Sequence, residues 1–228
     1  MKPKIAILLA ARDGDFIRIA SGYEQAVAAT GGVPVHLTPG TINNQLKAVR
    51  PDGILLPGGD FPAPRQCYTD KPFYEGESGE RFDAYIHMID YAASNRLPLF
   101  GICAGMQMLA VRLGGKLKSG ISGHRREDGQ YAHDVEIVSG SLLAETIEAR
   151  PLTVNSLHNE AVDETAGGDY RIVARSHDGM IEAIEPAHPW NNFVLAVQWH
   201  PERLAAHDEQ ACKLFEAFIA AAKPNRTL

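Results

Sequence analysis

A cysteine framed by two glycines stands at residue 103, where an apolar segment gives way to a helical pattern. Gly101 and Gly105 lie two positions on either side of Cys103. This spacing is typical of a nucleophile elbow, a sharp strand-to-helix turn that leaves room only for small neighbours. The N-terminus of the following helix favours the thiolate, which is the reactive form of cysteine. The sequence therefore predicts that Cys103 is a nucleophile.

The other two cysteines have no such frame. Cys67 lies in a polar segment and Cys212 in the last predicted helix, so we assign neither of them a chemical role. Three widely spaced cysteines give neither a disulfide framework nor a C-x-x-C motif. We therefore expect a reducing compartment, most simply the cytoplasm.

A candidate base for Cys103 follows the last predicted strand, in the sequence His200-Pro201-Glu202. Residues two apart in an extended chain point to the same face, so His200 and Glu202 can lie side by side. The carboxylate would then hold one imidazole nitrogen and leave the other for the sulfur. We predict a catalytic triad in which sulfur and imidazole lie within about 4 Å of each other.

Two backbone N–H groups can form an oxyanion hole beside this triad. Ala104 directly follows the nucleophile, and its N–H is the usual first donor of an elbow. Gly59 ends a Pro57-Gly58-Gly59 segment after another predicted strand, where glycine lets the backbone approach a ligand closely. Without the neighbouring elbow, this segment would indicate only a turn.

The elements that must position these residues change in character along the chain. In the first half, short apolar runs alternate with helical patterns, which is typical of a parallel α/β sheet, and after Lys116 strand-like segments follow one another with little helix between them. The predicted strands are Lys4–Ala10, Val33–Leu37, Gly53–Leu56, Leu97–Ile102, Val135–Val138, Leu152–Asn155, Tyr170–Ala174, Met180–Ile184 and Phe193–Trp199. The predicted helices are Ile17–Ala29, a short one capped by Thr41 that runs through Val49, Glu80–Asn95, Ala104–Leu113 and Glu209–Ala222.

The length of 228 residues, with no repeat or linker, predicts one domain over residues 1–228. Its fold class is α/β: a mostly parallel central sheet flanked by helices, with additional antiparallel strands in the C-terminal half. Residues 59–79 are rich in proline, glycine and charge and predict a surface loop. A loop of this length in a compact domain is usually functional or disordered, and here it can cover a substrate pocket or face a partner.

Composition excludes several other classes of function. A net charge of −6, with no basic run longer than Arg125-Arg126, disfavours nucleic-acid binding. The longest apolar run, Ile5–Ala11, has seven residues and is too short for a membrane span or a signal peptide. We find neither a G-x-G-x-x-G pattern nor metal-ligand spacing such as H-E-x-x-H, so we expect no cofactor and no metal.

Taken together, the motifs resemble those of the class I glutamine amidotransferase family. Its glutaminase domains carry a glycine-rich strand end, a G-x-C-x-G-x-Q elbow and a late H-P-E, in the order found here. Within the family, the chain is most similar to the γ-glutamyl-γ-aminobutyrate hydrolase group, peptidase C26. The added signs are the segments 132–135 (Ala-His-Asp-Val), 154–158 (Val-Asn-Ser-Leu-His) and 197–202 (Val-Gln-Trp-His-Pro-Glu). The resemblance implies a flavodoxin-like fold of the class I amidotransferase type.

It also implies a reaction. Cys103 would attack a γ-glutamyl amide carbon and release an amine, and water would hydrolyse the resulting thioester to glutamate. By the same analogy Gln107, Ser156 and His158 would bind the glutamyl part of a small-molecule substrate. Three departures from the group's usual residues leave the amine side open: Ala104 after the nucleophile, Phe82 after Arg81, and Lys118-Ser119 after the Gly-Gly at 114–115.

Two other functions remain open at this point. The chain can be a glutaminase subunit that delivers ammonia to a separate synthase, or a catalytically silent binding or regulatory protein on the same fold. A complete set of Cys103, His200 and Glu202 argues against the silent protein. A synthase partner is expected only under the first alternative. The sequence leaves a homodimer open, and we expect no nucleic-acid or membrane partner.

Overall fold

The computed structural model of the protein describes residues 1–12, 15–17, 22–76, 78–126, 131–148 and 151–223. The strands in this part of the chain are β1 (Lys4–Leu8), β2 (Ala10–Arg12), β3 (Asp15–Ile17), β4 (Val33–Leu37), β5 (Gly53–Leu56), β6 (Leu99–Ile102), β7 (Lys116–Lys118), β8 (Tyr131–Ile137), β9 (Leu152–Asn155), β10 (Ala161–Asp163), β11 (Tyr170–Ser176), β12 (Ile181–Pro186) and β13 (Val194–Val197). The α-helices are α1 (Gly22–Ala29), α2 (Ile42–Val49), α3 (Gly79–Ser94), α4 (Ala104–Arg112), α5 (Leu142–Thr146) and α6 (Glu209–Ala221).

Nine of the described strands form one sheet, in the order β4-β1-β5-β6-β13-β12-β11-β8-β9. The first five run parallel to one another, because β1 pairs in parallel with β4 and β5, and β6 with β5 and β13. From β13 to β9 every pairing is antiparallel. This architecture confirms the predicted α/β sheet with added antiparallel strands in the C-terminal half.

The side chains of β1 show why helices cover both faces of the sheet. Ile5 and Ile7 belong to a buried apolar cluster that includes residues of α1 and α6, whereas Ala6 and Leu8 belong to a second cluster with residues of α2, α3 and α4. The alternation follows from the two-residue period of a strand. Burying one Ile or Leu side chain contributes about 1.5–3 kcal/mol, so this doubly buried strand anchors both layers.

The structure corrects the prediction near the N-terminus. Residues 15–17 pair with residues 10–12 as an antiparallel hairpin, and α1 begins at Gly22 instead of Ile17. A short apolar run does not distinguish a strand from a helix, which explains the error. The predicted end of this helix at Gly31-Gly32 is confirmed, since Gly31 adopts φ +96° and the Gly32 N–H donates to the Val27 carbonyl oxygen over 2.9 Å.

Other differences are small. Thr41 precedes α2 as predicted, but its side chain makes no capping hydrogen bond, whereas Ser141 caps α5 and Asp208 caps α6. Sequence analysis missed α5 and the two-stranded pairing of β7 with β10, because these elements have only three to five residues. None of the described helices has the length and apolar character that a membrane span requires.

Three parallel strands bring the predicted site residues to one edge of the sheet. Leu56 at the end of β5 lies opposite Gly101 in β6, and Ile102 at the end of β6 lies opposite Val197 in β13. The segments that follow these strands contain Gly58, Cys103 and His200. Carboxyl ends of adjacent parallel strands form the usual crevice for ligands in such sheets.

The packing of α4 on β5 gives a first testable prediction. A Cβ at Gly105 would lie 2.8 Å from the Leu56 Cβ and still closer to the Leu56 carbonyl oxygen. Gly105→Ala should therefore lower the free energy of unfolding by about 1–3 kcal/mol, although alanine is the better helix former. Urea unfolding measures the change, with Ser94→Ala at the exposed end of α3 as the control, expected within about 0.5 kcal/mol of the wild type. A stabilised Gly105→Ala protein would contradict the close packing.

Candidate active site

Cys103 occupies a strained turn between β6 and α4. Its backbone adopts φ +51° and ψ −108°, a region that residues with side chains rarely occupy. Its N–H donates to the Val197 carbonyl oxygen over 2.8 Å, and its carbonyl oxygen accepts from the N–H groups of Met106 and Gln107. These bonds tie the turn to β13 on one side and to α4 on the other. The geometry is that of the predicted elbow.

The two flanking glycines are needed for this turn. A Cβ at Gly101 would lie 2.9 Å from the Ala196 Cβ, and a Cβ at Gly105 would collide with Leu56. Since neither β13 nor β5 can move without disturbing the sheet, only glycine fits at the two positions. The spacing noted in the sequence thus has a steric cause.

His200 and Glu202 form the predicted hydrogen-bonded pair. The distance between His200 Nδ1 and Glu202 Oε1 is 2.7 Å, and both side chains are buried. The backbone of His200 is held by Asn155, whose Oδ1 accepts from the His200 N–H over 2.8 Å and whose Nδ2 donates to the His200 carbonyl oxygen over 2.9 Å. This role of Asn155 was not predicted from the sequence, where the residue stands only within a family motif, because its partner lies 45 residues away.

The imidazole of His200 also interacts with the sulfur of Cys103. Burial lowers the pKa of His200, but the charges of Glu202 and Cys103, together with hydrogen bonds to both, outweigh this effect and raise the pKa to about 10. These interactions favour the protonated form of His200. A protonated imidazole beside a cysteine is the usual arrangement around a thiol nucleophile.

The Pro57–Gly59 turn closes over this pair. A Cβ at Gly58 would lie 2.8 Å from His200 Cε1 and 3.2 Å from Cys103 Cβ. Arg81 donates to the Gly58 carbonyl oxygen over 3.0 Å, and the Tyr85 hydroxyl donates to the Pro57 carbonyl oxygen over 2.6 Å. Two side chains of α3 thus fix the turn in place.

The two predicted oxyanion donors belong to segments that adjoin Cys103, since Gly59 lines the same cleft and Ala104 directly follows Cys103. Gly59 follows the turn with φ +149°, and Ala104 is the first residue of α4. In the part of the chain that the structure describes, neither backbone N–H has a hydrogen-bond acceptor. Buried or cleft-facing N–H groups normally find an acceptor, so both are available to a ligand oxygen.

A narrow cleft opens at Cys103. The residues that line it are Gly59, Asp60, Phe61, Ala63, Tyr68, Tyr74, Cys103, Gln107, Met108, His158, Asn159 and Glu160. Half of this lining comes from residues 59–79, the long loop of the sequence analysis. The loop is tied to β7, because the Thr69 N–H donates to the Leu117 carbonyl oxygen over 2.9 Å and the Ser119 N–H donates to Asp70.

The three predicted substrate-binding residues have different positions. Gln107 lines the cleft, and its Nε2 donates to the Glu160 carbonyl oxygen over 2.8 Å. His158 also lines the cleft, with Nδ1 3.0 Å from the same oxygen. Ser156 is not among the lining residues; its hydroxyl donates to the His124 carbonyl oxygen over 2.7 Å.

Glu160 is an acidic group in the cleft that was not predicted from the sequence. Its carboxylate accepts hydrogen bonds from the Tyr68 hydroxyl and the Phe73 N–H, both over 3.0 Å. Burial raises the pKa of Glu160. No motif surrounds this residue, and its partners belong to the loop about ninety residues earlier, so no local pattern could have identified it.

Comparison with known proteins gives matches over most of the chain. The Peptidase C26 family model matches residues 10–202. The Gamma-glutamyl-gamma-aminobutyrate hydrolase PuuD of Escherichia coli strain K12 is 33% identical over 226 residues, which covers 87% of this chain and 84% of the relative. A relative from Schizosaccharomyces pombe, with the provisional name glutamine amidotransferase PB2B2.05, is 31% identical over 88% of this chain and 81% of its own length.

Among solved structures, the glutaminase domain of Trypanosoma brucei CTPS with bound acivicin superposes with a TM-score of 0.70. It is 19% identical in sequence, and the match covers 96% of this chain and 93% of that one. At this identity the likeness shows the fold alone. It confirms the expected amidotransferase-type sheet.

Selective alkylation tests the electrostatics of this site. Because the surroundings of His200 favour its protonated form, iodoacetamide at about pH 7 should modify Cys103 before Cys67 and Cys212, whose pKa values burial raises. His200→Ala should slow the modification of Cys103 roughly tenfold or more, since an ordinary thiol is only a few per cent thiolate at this pH. Peptide mass mapping over time gives the three rates, with the exposed His87→Ala as the control. Equal rates of Cys103 modification in His200→Ala and His87→Ala would contradict the pairing of the His200 ring with the sulfur.

Proposed function

This chain belongs to the peptidase C26 family and is a glutamine-amidotransferase-like hydrolase, and we propose that it cleaves the γ-glutamyl amide bond of a small γ-glutamyl compound. The class of substrate we propose is one like γ-glutamyl-γ-aminobutyrate, with glutamate and an amine as products. One observation carries the proposal: Cys103 lines a cleft and interacts with His200, which is hydrogen-bonded to Glu202.

In the proposed first half-reaction, the thiolate of Cys103 attacks the γ-carbonyl carbon and a C–S bond forms. The N–H groups of Gly59 and Ala104 hold the negative oxygen of the tetrahedral intermediate. The His200 imidazolium gives its proton to the amide nitrogen, the C–N bond breaks and the amine leaves. Glu202 keeps the ring oriented throughout.

In the second half-reaction, the neutral imidazole of His200 takes a proton from water, and the hydroxide attacks the thioester carbon. The C–S bond then breaks and releases glutamate. The sulfur returns to thiolate and His200 to imidazolium, which restores the resting charges. No metal or organic cofactor enters either step.

The charges of the cleft support recognition of the glutamyl end. An α-ammonium group requires hydrogen-bond acceptors, and the carboxylates of Asp60 and Glu160 both line the cleft. Gln107 is held beside them by its bond to the Glu160 carbonyl oxygen. We therefore assign the ammonium contact to Glu160, with Asp60 adding to the negative potential.

Residues 59–79 support a free hydrolase over a subunit that needs a partner. This loop supplies six of the lining residues and is tied to β7, so the chain covers its own cleft without another protein. A glutaminase subunit that delivers ammonia to a synthase remains the alternative, which the name of the S. pombe relative favours. We assign the loop the role of a cover over the substrate.

Parallel assays of glutamate release test the proposal. We expect strong turnover of γ-glutamyl-γ-aminobutyrate and little of L-glutamine, with at least about a thousandfold loss in Cys103→Ser. Cys212→Ser is the matched control and should keep full activity. Slow glutamine hydrolysis alone would favour the ammonia-delivering subunit, and no turnover of either substrate would favour a silent binding protein or a different γ-glutamyl substrate.

Glu160→Gln tests recognition separately from chemistry. Removing the charge should raise KM about 10- to 100-fold, as expected for one charged hydrogen bond, with a much smaller change in kcat. The exposed Glu80→Gln should leave both constants unchanged. A loss confined to kcat would place Glu160 in the chemical step instead of in ammonium binding.

A further inference from the structure

Three histidines surround a buried carboxylate on the antiparallel side of the sheet. His133 lies in β8, His124 precedes that strand, His158 follows β9, and Glu182 lies in β12. The distances from Glu182 Oε1 are 3.4 Å to His124 Nδ1, 3.2 Å to His133 Nε2 and 3.8 Å to His158 Nε2. Neighbouring rings are in contact, with centroids 4.8 Å apart for His124 and His133 and 4.9 Å apart for His124 and His158.

The cluster contains buried polar atoms without partners. The side chain of Glu182 is completely buried, and that of His158 is 1% exposed. Within the described residues, neither Glu182 Oε2 nor His158 Nε2 has a hydrogen-bond partner. Leaving a buried polar atom unpaired is costly, and more so when the group is charged, so the two atoms indicate a missing ligand.

Hydrogen bonds on the side away from Glu182 fix which nitrogen of His124 and of His158 carries the proton. His158 Nδ1 faces the Glu160 carbonyl oxygen at 3.0 Å, and His124 Nε2 faces the Asp178 carboxylate at 2.9 Å. Since both oxygens only accept hydrogen bonds, these nitrogens carry the ring protons. Ser156 lies 3.4 Å from His124 Nδ1, but its hydroxyl already donates to the His124 carbonyl oxygen. In their neutral forms, both rings therefore present a bare nitrogen to the carboxylate.

We propose that His124, His133, His158 and Glu182 form a zinc-binding site. Imidazole nitrogens and a carboxylate oxygen are common ligands of Zn²⁺, and a tetrahedron with bonds of about 2.0–2.1 Å places its ligand atoms about 3.3 Å apart. The ligand atoms of His124, His133 and Glu182 lie within 4.8 Å of one another, so small side-chain movements suffice to close the site. His158, whose Nε2 lies 3.8 Å from Glu182 Oε1 and outside that group of three, would supply the fourth ligand after a larger movement.

Hydrogen bonds from the outer ring nitrogens are typical of histidines that bind zinc. A histidine ligand usually donates its other N–H to a carboxylate or a backbone carbonyl, which fixes the ring. Asp178 serves His124 in this way, and the Glu160 carbonyl oxygen serves His158. The side chain of His133 is 18% exposed, whereas the other three are nearly or fully buried, so the ion enters past His133.

Four protein ligands fill a tetrahedral zinc, which makes the site structural and leaves the cysteine chemistry independent of it. The ion would link β8, β12 and the segments that carry His124 and His158. Since His158 also lines the cleft, zinc would fix one wall beside Cys103. A metal site was not expected from the sequence, because the four residues are spread from 124 to 182 without recognisable ligand spacing.

Metal titration of the full-length chain tests this site. We use the Cys103→Ser protein, stripped of metal by chelation, so that the reactive thiol does not compete for the ion. Calorimetric titration with Zn²⁺ should show about one ion bound per chain and a raised melting temperature. Co²⁺ should give the visible spectrum of a tetrahedral nitrogen and oxygen site without thiolate charge transfer. Absence of stoichiometric zinc binding would overturn the proposal.

Two variants identify the ligands, and a third serves as a control. Asp178→Asn should weaken zinc binding about 10- to 100-fold, as is usual when a ligating histidine loses the carboxylate that holds its other ring nitrogen, and His133→Gln should weaken it further. His133 is the most exposed of the four residues, so its variant should fold, which circular dichroism checks. The exposed His87→Gln in α3 should bind zinc normally. Unchanged affinity in Asp178→Asn and His133→Gln would show that zinc binds elsewhere and that the histidines only balance the charge of Glu182.

Discussion

The left-handed backbone of Cys103 sets the conditions that much of the surrounding structure meets. A residue in this region costs about 1–3 kcal/mol, which neighbouring contacts must offset. The bond from its N–H to Val197 requires β13 to lie beside β6, and the close approach of α4 to Leu56 requires Gly105. The parallel half of the sheet and the first turn of α4 therefore hold the backbone of Cys103 and so fix the orientation of its side chain.

Two separate buried groups of titratable side chains reach the cleft, one through Cys103 and the other through His158. The imidazole of His200 lies between Glu202 and the sulfur of Cys103, and Glu182 is surrounded by histidines. Each group depends on strands from different parts of the sheet, with β6 and β13 supporting the first and β8 and β12 the second. Asn155 and His158 lie at the end of β9 and just beyond it, so this short segment contacts both groups.

The parts of the site that were predicted from the sequence are those encoded within a few residues of one another. The glycines around Cys103 and the two-residue step from His200 to Glu202 express local geometry, and the structure places them as that geometry requires. Glu160 and Glu182 could not be found in this way, because their partners come together only when antiparallel strands and the long loop pack. The helix expected from Ile17 failed for a related reason, since short apolar runs fit either type of element.

Residues 59–79 contain both a proposed oxyanion donor and part of the cleft lining. The loop begins at Gly59, a proposed oxyanion donor, and continues through Tyr68 and Tyr74, which line the cleft at Cys103. A change of loop length or packing therefore alters the position of a proposed oxyanion donor together with the shape of the pocket. Evolution of a new substrate preference through this loop would carry a penalty in reaction rate unless Arg81 and Tyr85 of α3 continued to hold the turn.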